Sequence, residues 1–382
     1  MTEIMEAYKA ARKNKRNTRS QLNFEIDLER NLFLLAKELD TRTYKVGPSS
    51  CFIVKKPVQR EIFAAEFRDR VVHHLLFNRI APVFERKFIH DSYSCRKGKG
   101  TLFAVRRLQH HTKSATENYK KEAWILKLDI EGYFMNIPRE KLFYQCTKAL
   151  ETEDELTKYL LKEVIFNNPT LGCIIKGSVG DWYGLPRTKS LFHTPKDSGL
   201  PIGNLTSQLF SNVFLNPFDN FVKRELGVQH YGRYVDDFYL VHQSKNFLKE
   251  LVPQIDEYLK ENLGLRLHPK KRYLQAVSQG VEFVGVKFKN STMLPGKRLR
   301  HNATAAFNEM NDAVKMKPYM CQNVPFLKKF ITSANSYLGV MAHINSFELR
   351  EKLVRKIDER IKEKLIVKPA YKSLKLIKTN NC

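Results

Sequence analysis

Two adjacent carboxylates, Asp236 and Asp237, sit between Gly232-Arg233-Tyr234-Val235 and the apolar run Phe238-Tyr239-Leu240-Val241. Few features constrain a fold as tightly. Burying acids beside Tyr234, Phe238 and Leu240 is costly unless cations or hydrogen-bond donors compensate. The flanking runs are short and rich in aromatic and β-branched residues, so the stretch predicts a β-hairpin with the acids at its turn. Asp is a common turn residue, and taken alone these four positions favour a polar turn over a reactive site. A chemical role requires a third acid, a cationic surface and a ligand pocket from elsewhere in the chain.

Composition supplies the surface. Among 382 residues, 66 Lys and Arg stand against 40 Asp and Glu, a net charge of +26, while 42% of residues are hydrophobic and 11% aromatic. Such a chain buries a sizeable core in two or three units, and its charge is the footprint of a polyanion partner. A membrane surface would attract the same charge, but no run of about 18 apolar residues occurs. Nucleic acid is therefore the expected partner, and no membrane. The opening Met1-Thr2-Glu3-Ile4-Met5-Glu6 lacks the charged-then-apolar order of a secretory signal, which predicts a chain kept in a reducing cytosol. Cys51, Cys95, Cys146, Cys173, Cys321 and Cys382 are scattered without a Cys-x-x-Cys pair, against both a zinc ribbon and a disulfide framework.

Taken in order, the chain opens with a basic block from residue 9 to 19 (Lys9, Arg12, Lys13, Lys15, Arg16, Arg19), either a solvated helix end or an RNA contact. Phe24, Leu28, Leu32, Leu35 and Leu39 then share one helical face. Two short apolar runs, Phe52-Ile53-Val54 and Glu61-Ile62-Phe63, flank Lys55-Lys56-Pro57-Val58-Gln59-Arg60 and predict a hairpin with a cationic tip. Arg68-Asp69-Arg70 opens an apolar packing helix. Ser92-Tyr93-Ser94-Cys95-Arg96-Lys97-Gly98-Lys99-Gly100 interleaves aromatic, cationic and glycine residues, a pattern that brings backbone and positive charge close to phosphates.

Trp124 to Ile130 reads as a strand that turns Trp124, Leu126, Leu128 and Ile130 to one side and Ile125, Lys127 and Asp129 to the other. Asp129 lies at its end, either satisfied locally or available for chemistry. Residues 139 to 166 are predicted helical and 167 to 198 irregular. Gly199-Leu200-Pro201-Ile202-Gly203-Asn204 leads into an amphipathic helix with Asn204 as its N-cap, and Gly203 permits close approach of a flat or phosphorylated ligand. A helix over 247–263 and strands around 265–288 follow. Beyond about Met293 the chain reads as helical and basic to the end.

Asp129, Asp236 and Asp237 together supply the carboxylates that two Mg²⁺ ions require, with Mn²⁺ as a substitute. Two ions about 3.5–4 Å apart activate a primer 3′-hydroxyl and steady the leaving oxygen of a triphosphate. No Walker glycine-lysine loop is present. Cations at the Lys55 to Arg60 tip and at Lys270 or Lys271 are left to neutralise phosphates. Nucleotidyl transfer is the chemistry this ensemble predicts.

Tyr234-Val235-Asp236-Asp237 resembles the catalytic signature of reverse transcriptases, and Asp129 with Phe134 resembles their first acidic motif and aromatic sugar gate. The similarity runs in consistent order from about Lys55 to Phe288. It implies Asp129, Asp236 and Asp237 as catalytic metal ligands, Lys56 and Arg60 on the triphosphate of an incoming dNTP, and Lys271 as proton donor to pyrophosphate, with Lys270 the alternative. It further implies a nucleotide pocket of Phe134, Ile202, Gly203 and Gln208, and template and primer contacts by Arg96, Lys97, Lys99 and Gly285.

Most reverse transcriptases carry Gln-Gly-x-x-x-Ser-Pro where this chain has Ile202-Gly203-Asn204-Leu205-Thr206-Ser207-Gln208. That departure, with Leu185-Pro186-Arg187-Thr188-Lys189-Ser190-Leu191-Phe192 upstream, resembles the diversity-generating retroelement enzymes of bacteria and phages, a group II intron-like lineage. The resemblance implies error-prone copying of template RNA into cDNA at adenines. It also implies an oligomeric small basic accessory protein and a cytoplasmic location in a bacterial or phage-infected cell. Physically, Ile202 replaces an amide with a branched apolar side chain, which removes polar constraints on the incoming nucleotide. Packing alone is the other reading of Ile202.

A retron, abortive-infection or group II intron enzyme shares the acids, and a non-catalytic RNA-binding protein on the same fold would tolerate their loss. The expected class is α+β, a right-hand polymerase. Fingers span 1–122 with parts of 137–198 packed on them, a palm of 123–290 holds a small antiparallel sheet backed by helices, and a helical basic thumb spans 295–382. The remaining length leaves no room for an RNase H or integrase extension.

Overall fold

The computed structural model describes residues 1–13, 17–56, 58–150, 154–289 and 291–377. Lys15, Arg16, Pro57 and Cys382, singled out above, lie outside the described residues. The fold is α+β, helices combined with small sheets. Two compact units are interleaved along the chain: residues 1–98, 126–240 and 246–273 form the first, and 99–125, 241–245 and 274–382 the second.

In the first unit, the apolar stripe from Phe24 to Leu39 is carried by two helices, Arg19–Ile26 and Leu28–Asp40, which break at Asp27. Phe24, Leu32, Leu35 and Leu39 are buried as their spacing predicts. The helix Phe67–Lys87 buries Val71, Val72, Leu75, Leu76 and Ile80. Strands β1 (Ser50–Val54) and β2 (Arg60–Ala64) pair antiparallel, Phe52 opposite Ile62, as the predicted hairpin.

Strand β3 (Trp124–Asp129) follows. The helices Arg139–Leu150 and Glu155–Phe166 occupy the predicted helical stretch, the second capped by Asp154 Oδ1, which accepts from Leu156 N and Thr157 N. The stretch expected to be irregular contributes β4 (Ile174–Ile175), which lies parallel to β1, and then short 3₁₀ turns. Strands β5 (His230–Tyr234) and β6 (Asp237–His242) enclose the two-residue turn Val235-Asp236. Within this unit the strand order is β5, β6, β3; the next strand, β7 (Tyr273–Ala276), falls mostly in the second unit.

The helix Leu205–Asn220 backs this sheet, with Phe218 packed edge-to-face on Phe238 at 5.2 Å and on Tyr231 at 6.3 Å. Asn204 does stand at the N-cap position, but its side chain does not cap the helix; its Oδ1 accepts from Ala65 N at 3.3 Å, at the end of β2.

In the second unit, β8 (Val281–Phe283), β9 (Val286–Lys289) and β10 (Thr292–Pro295) form an antiparallel sheet. Val284 and Gly285, both at positive φ, make the two-residue turn between β8 and β9. Helices Lys297–Met316, Val324–Met341 and Phe347–Arg355 share a core of Phe307, Met310, Leu327, Phe330 and Leu338. The segment beyond Met293 departs from its all-helical expectation near the end. Strands β11 (Leu365–Val367) and β12 (Leu374–Leu376) pair antiparallel and bury Leu365 and Leu374 in that same core. The β-branched Ile366 and Val367 favour extended backbone, and Pro369, two residues past β11, disfavours helix in the residue before it.

No helix among the described residues is long and apolar enough to cross a membrane. Cys51, Cys95, Cys146, Cys173 and Cys321 are free thiols.

Candidate active site

Strand geometry brings the acids together. Asp129 is the last residue of β3, and the two-residue period of the strand puts Lys127 on its face. The strand end is held on both sides, because Ile130 N donates to Asp236 O at 3.2 Å and His268 N donates to Asp129 O at 2.8 Å. Burial, then the charge of Asp129, pushes the Asp236 carboxyl up to about 6, against the opposing pull of Lys271 and Arg60. Asp237 is likewise pushed up to about 6, mainly by burial, with Lys127 as the main opposing charge. An acid whose charge raises the proton affinity of others, as Asp129 does for Asp236 and Asp237, is their near neighbour in low dielectric.

Two lysines answer these charges. Lys271 Nζ lies 2.8 and 2.9 Å from the two Asp129 oxygens, and Lys127 Nζ lies 3.0 Å from Asp237 Oδ2. Lys271 is thus the lysine of the 270–271 pair whose ammonium enters the acid cluster. Asp237 Oδ1 is buried and finds no hydrogen-bond donor among the described residues. Among the described residues no three His, Cys, Asp or Glu side chains are grouped as a ready-made metal cage. The donor set still fits a divalent ion: hard carboxylate oxygens, one of them orphaned, in a site short of positive charge.

The expected nucleotide-pocket residues are placed beside β2. Phe134 and Ile202 are half-buried against one apolar cluster with Cys51, Phe63, Met135 and Leu191. Phe63 N donates to Ile202 O at 2.8 Å, so the pocket segment is hydrogen-bonded to the hairpin. Gly203, at φ 132°, approaches backbone rather than leaving a gap for ligand: a Cβ there would stand 2.6 Å from Phe63 O. The close approach that the glycine permits is to β2. Gln208 is exposed in the first turns of the helix Leu205–Asn220, and Lys56 and Arg60 are exposed at the hairpin tip. Past Phe134, Met135 and Asn136 line a cavity of about 260 Å³ with Arg187 and His193.

The remaining cations divide. Arg96, expected on the template side, turns inward: it pairs with Glu85 at 2.9 Å, donates to Ile89 O and Ser92 O, and lies over the Phe88 ring. The carboxylate and carbonyls that satisfy its fork all come from the preceding eleven residues of the chain. Lys97 is exposed in the first unit. Lys99 and Gly285 belong to the second unit, Lys99 over the Phe103 ring and Gly285 at the β8–β9 turn.

Three contributors escaped the sequence reading. Lys127 was signalled only by sharing a strand face with Asp129. Glu61, 1% exposed, accepts from Trp182 Nε1 at 2.7 Å, Ser190 Oγ at 2.8 Å and Leu191 N at 2.7 Å, tying β2 to a segment more than 120 residues away. Arg233 is fully buried beneath the acid-bearing turn and forms a bidentate pair with Asp219, Nε to Oδ1 at 2.7 Å and Nη2 to Oδ2 at 2.6 Å. Burial works against the Arg233 charge, but the attraction of Asp219 outweighs it and raises the guanidinium pKa.

Residues 54–288 match the family model described as reverse transcriptase (RNA-dependent DNA polymerase). The chain is 23% identical over 294 residues to the putative COX1/OXI3 intron 2 protein of Saccharomyces cerevisiae, covering 67% of this chain and 34% of that protein. It is 22% identical over 288 residues to protein YkfC of Escherichia coli, covering 66% of this chain and 70% of that one. The chain therefore spans about a third of the length of the yeast relative.

Among solved structures, apo telomerase of Candida tropicalis truncated from its C-terminal domain aligns with a TM-score of 0.46 and 12% identity, over 69% of this chain and 59% of that one. Telomerase of Candida albicans in complex with a TWJ fragment of telomeric RNA aligns with a TM-score of 0.47 and 10% identity, over 85% and 66%. The family match takes in the hairpin tip, all three acids and Lys271, and it covers more than half of the sequence. The chain belongs to the reverse transcriptase (RNA-dependent DNA polymerase) family.

Proposed function

We propose that this protein is an RNA-directed DNA polymerase that copies a template RNA into cDNA from dNTPs. The observation that carries the reading is the convergence of Asp129 from β3 with Asp236 and Asp237 from the adjoining hairpin, close enough for Asp129 to raise the proton affinity of Asp236. Reverse transcriptase domains generally use divalent metals. Asp129, Asp236 and Asp237 would hold the ions, which when bound supply the charge that activates a primer 3′-hydroxyl and stabilises the leaving oxygen.

The chain's own residues supply the rest. Arg60 brings positive charge toward the acids from the end of the hairpin tip, where a triphosphate would meet it. Phe134 and Ile202 offer an apolar wall to the sugar and base. Lys271, an exposed ammonium already within hydrogen-bond reach of Asp129, is the proton donor to the departing pyrophosphate. In this reading fingers, palm and thumb correspond to 1–122, 123–290 and 295–382. Primer extension on an RNA template tests the reading: Asp236→Ala should leave the protein folded and without synthesis. Unchanged synthesis would sink the metal-ligand assignment.

The finer reading is an enzyme of the diversity-generating type, error-prone at template adenines and working with a small basic oligomeric accessory protein in the cytoplasm. The Ile202 to Gln208 pattern supports it. Ile202→Gln should lower misincorporation opposite adenine, measured by sequencing cDNA from both proteins. Equal adenine error rates would reject the role. The likeness to an intron 2 protein favours an intron-type enzyme as second reading, and error rates equal at all four template bases in the parent would support it.

A further inference from the structure

The turn that carries Asp236 is held from beneath by a buried ion pair. Arg233 and Asp219 are both fully buried, and Tyr231 OH fixes the carboxylate by donating to Asp219 Oδ1 at 2.6 Å. With two of its nitrogens engaged by Asp219, the guanidinium also donates from Nη2 to Ser92 Oγ at 3.2 Å. Its Nη1 donates to the carbonyl oxygen of Val235 at 2.9 Å. Val235 is at φ 60°, a conformation that a β-branched side chain strongly disfavours.

The Val235 carbonyl and the Asp236 N–H belong to one planar peptide unit. Holding that oxygen sets the plane from which the Asp236 Cα departs. The peptide on the other side of Asp236 is held as well, because Ile130 N donates to Asp236 O. Ile130 directly follows Asp129. Asp236 is thus clamped on both flanks, once to the strand of Asp129 and once to the buried guanidinium. The Arg233 backbone is itself fixed, donating to Asp91 O and accepting from Tyr93 N, both at 2.9 Å.

We infer that Arg233, seated on Asp219, is a positioning residue for the polymerase reaction: it holds the Val235 peptide in its disfavoured turn and so aims the Asp236 carboxylate at Asp129. The inference rests on the polymerase reading above. Lysine at 233 keeps the charge opposite Asp219 but lacks the fork that reaches Asp219 and the Val235 carbonyl together. Glycine at 235 adopts positive φ without strain, so the turn no longer needs the guanidinium.

The test uses the full chain, with steady-state primer extension, template–primer binding and thermal melting measured side by side. Arg233→Lys should lower kcat by about 10²-fold, the scale of a misplaced reacting group, with template–primer Kd within about threefold of the parent on the same estimate. Adding Val235→Gly to Arg233→Lys should recover a large part of the lost kcat. Because lysine leaves part of a buried carboxylate unanswered, the neutral pair Arg233→Gln with Asp219→Asn is the second variant, which leaves no unpaired buried charge and is expected to show the same selective loss.

An active parent with kcat unchanged in either folded variant would overturn the positioning role. So would a joint loss of kcat, binding and melting temperature that Val235→Gly does not recover, which would make the pair a staple of the fold alone. A parent that extends no primer would sink the polymerase reading itself, and the positioning role with it.

Discussion

Burial and the charge of Asp129 raise the Asp236 pKa from the ordinary 3.8 to about 6, so between those values the native state holds a proton that the unfolded chain releases. Stability therefore falls as pH rises through that window and stays low above it. Asp236→Asn removes the charge while keeping the shape, and in chelator at neutral pH it should stabilise the protein by about 1–3 kcal/mol, scaled from the shift. Thermal melts at neutral pH and near pH 4 check this: the gain should be present at the first and largely absent at the second. An unaltered melting temperature at neutral pH would mean that the buried charge is already compensated. Asp237 is in the same condition, relieved on one oxygen by Lys127 and not on the other. That the two acids belong to a site was legible only once Asp129 and the cationic stretches were set beside them, since alone they favoured a polar turn. Which cation answers which acid was not, because Lys127 and Lys271 lie far from the hairpin in sequence.

Among the elements, the β1–β2 hairpin and the segment entering the helix Leu205–Asn220 behave as one structure. Phe63 N bonds to Ile202 O, Ala65 N bonds to Asn204 Oδ1, and Gly203 lies against the Phe63 carbonyl. Gly203→Ala would force a methyl to within 2.6 Å of that oxygen at a φ that only glycine adopts readily. The expected result is a loss of about 1–3 kcal/mol, the range for local backbone strain, with faster amide exchange in β1 and β2 and a raised KM for dNTP. Unaltered exchange in both strands would count against the contact. Gly203 was legible as a site of close approach, yet the partner was expected to be a ligand. Glycine announces that something comes near, and only the fold says what.

For the whole molecule, the dominant quantity is the charge of +26. Binding of RNA should fall steeply with salt, by about 10³-fold between 50 and 200 mM if some six phosphates are neutralised. A filter-binding titration measures the slope, and a flat response would exclude a backbone-led interface. Not every cation contributes to such a surface. Arg96, read from the sequence as part of a basic stretch, and Arg233, beside the acidic turn, direct their charge inward to Glu85 and Asp219. Net charge is a property of composition, whereas the share of it that faces solvent depends on which arginines find buried acids.

Read without coordinates, the chain already disclosed its fold class, the strand and hairpin that carry the acids, and its family, since alternation, turn chemistry and motif order are all written in short spacings. The helical stretches 139–166 and 247–263 and the helix after Asn204 were read too, whereas the helices Thr2–Arg12 and Thr101–Ala115, the break at Asp27 and the β11–β12 hairpin beyond Lys364 were not. How the site is charged and held emerged with folding: Lys271 on Asp129, Lys127 on Asp237, Glu61 joining β2 to the 182–191 segment, and Arg233 under the Val235 turn. Most of these contacts join residues more than a hundred positions apart. Each depends on low dielectric and fixed geometry that exist only once the strands have packed.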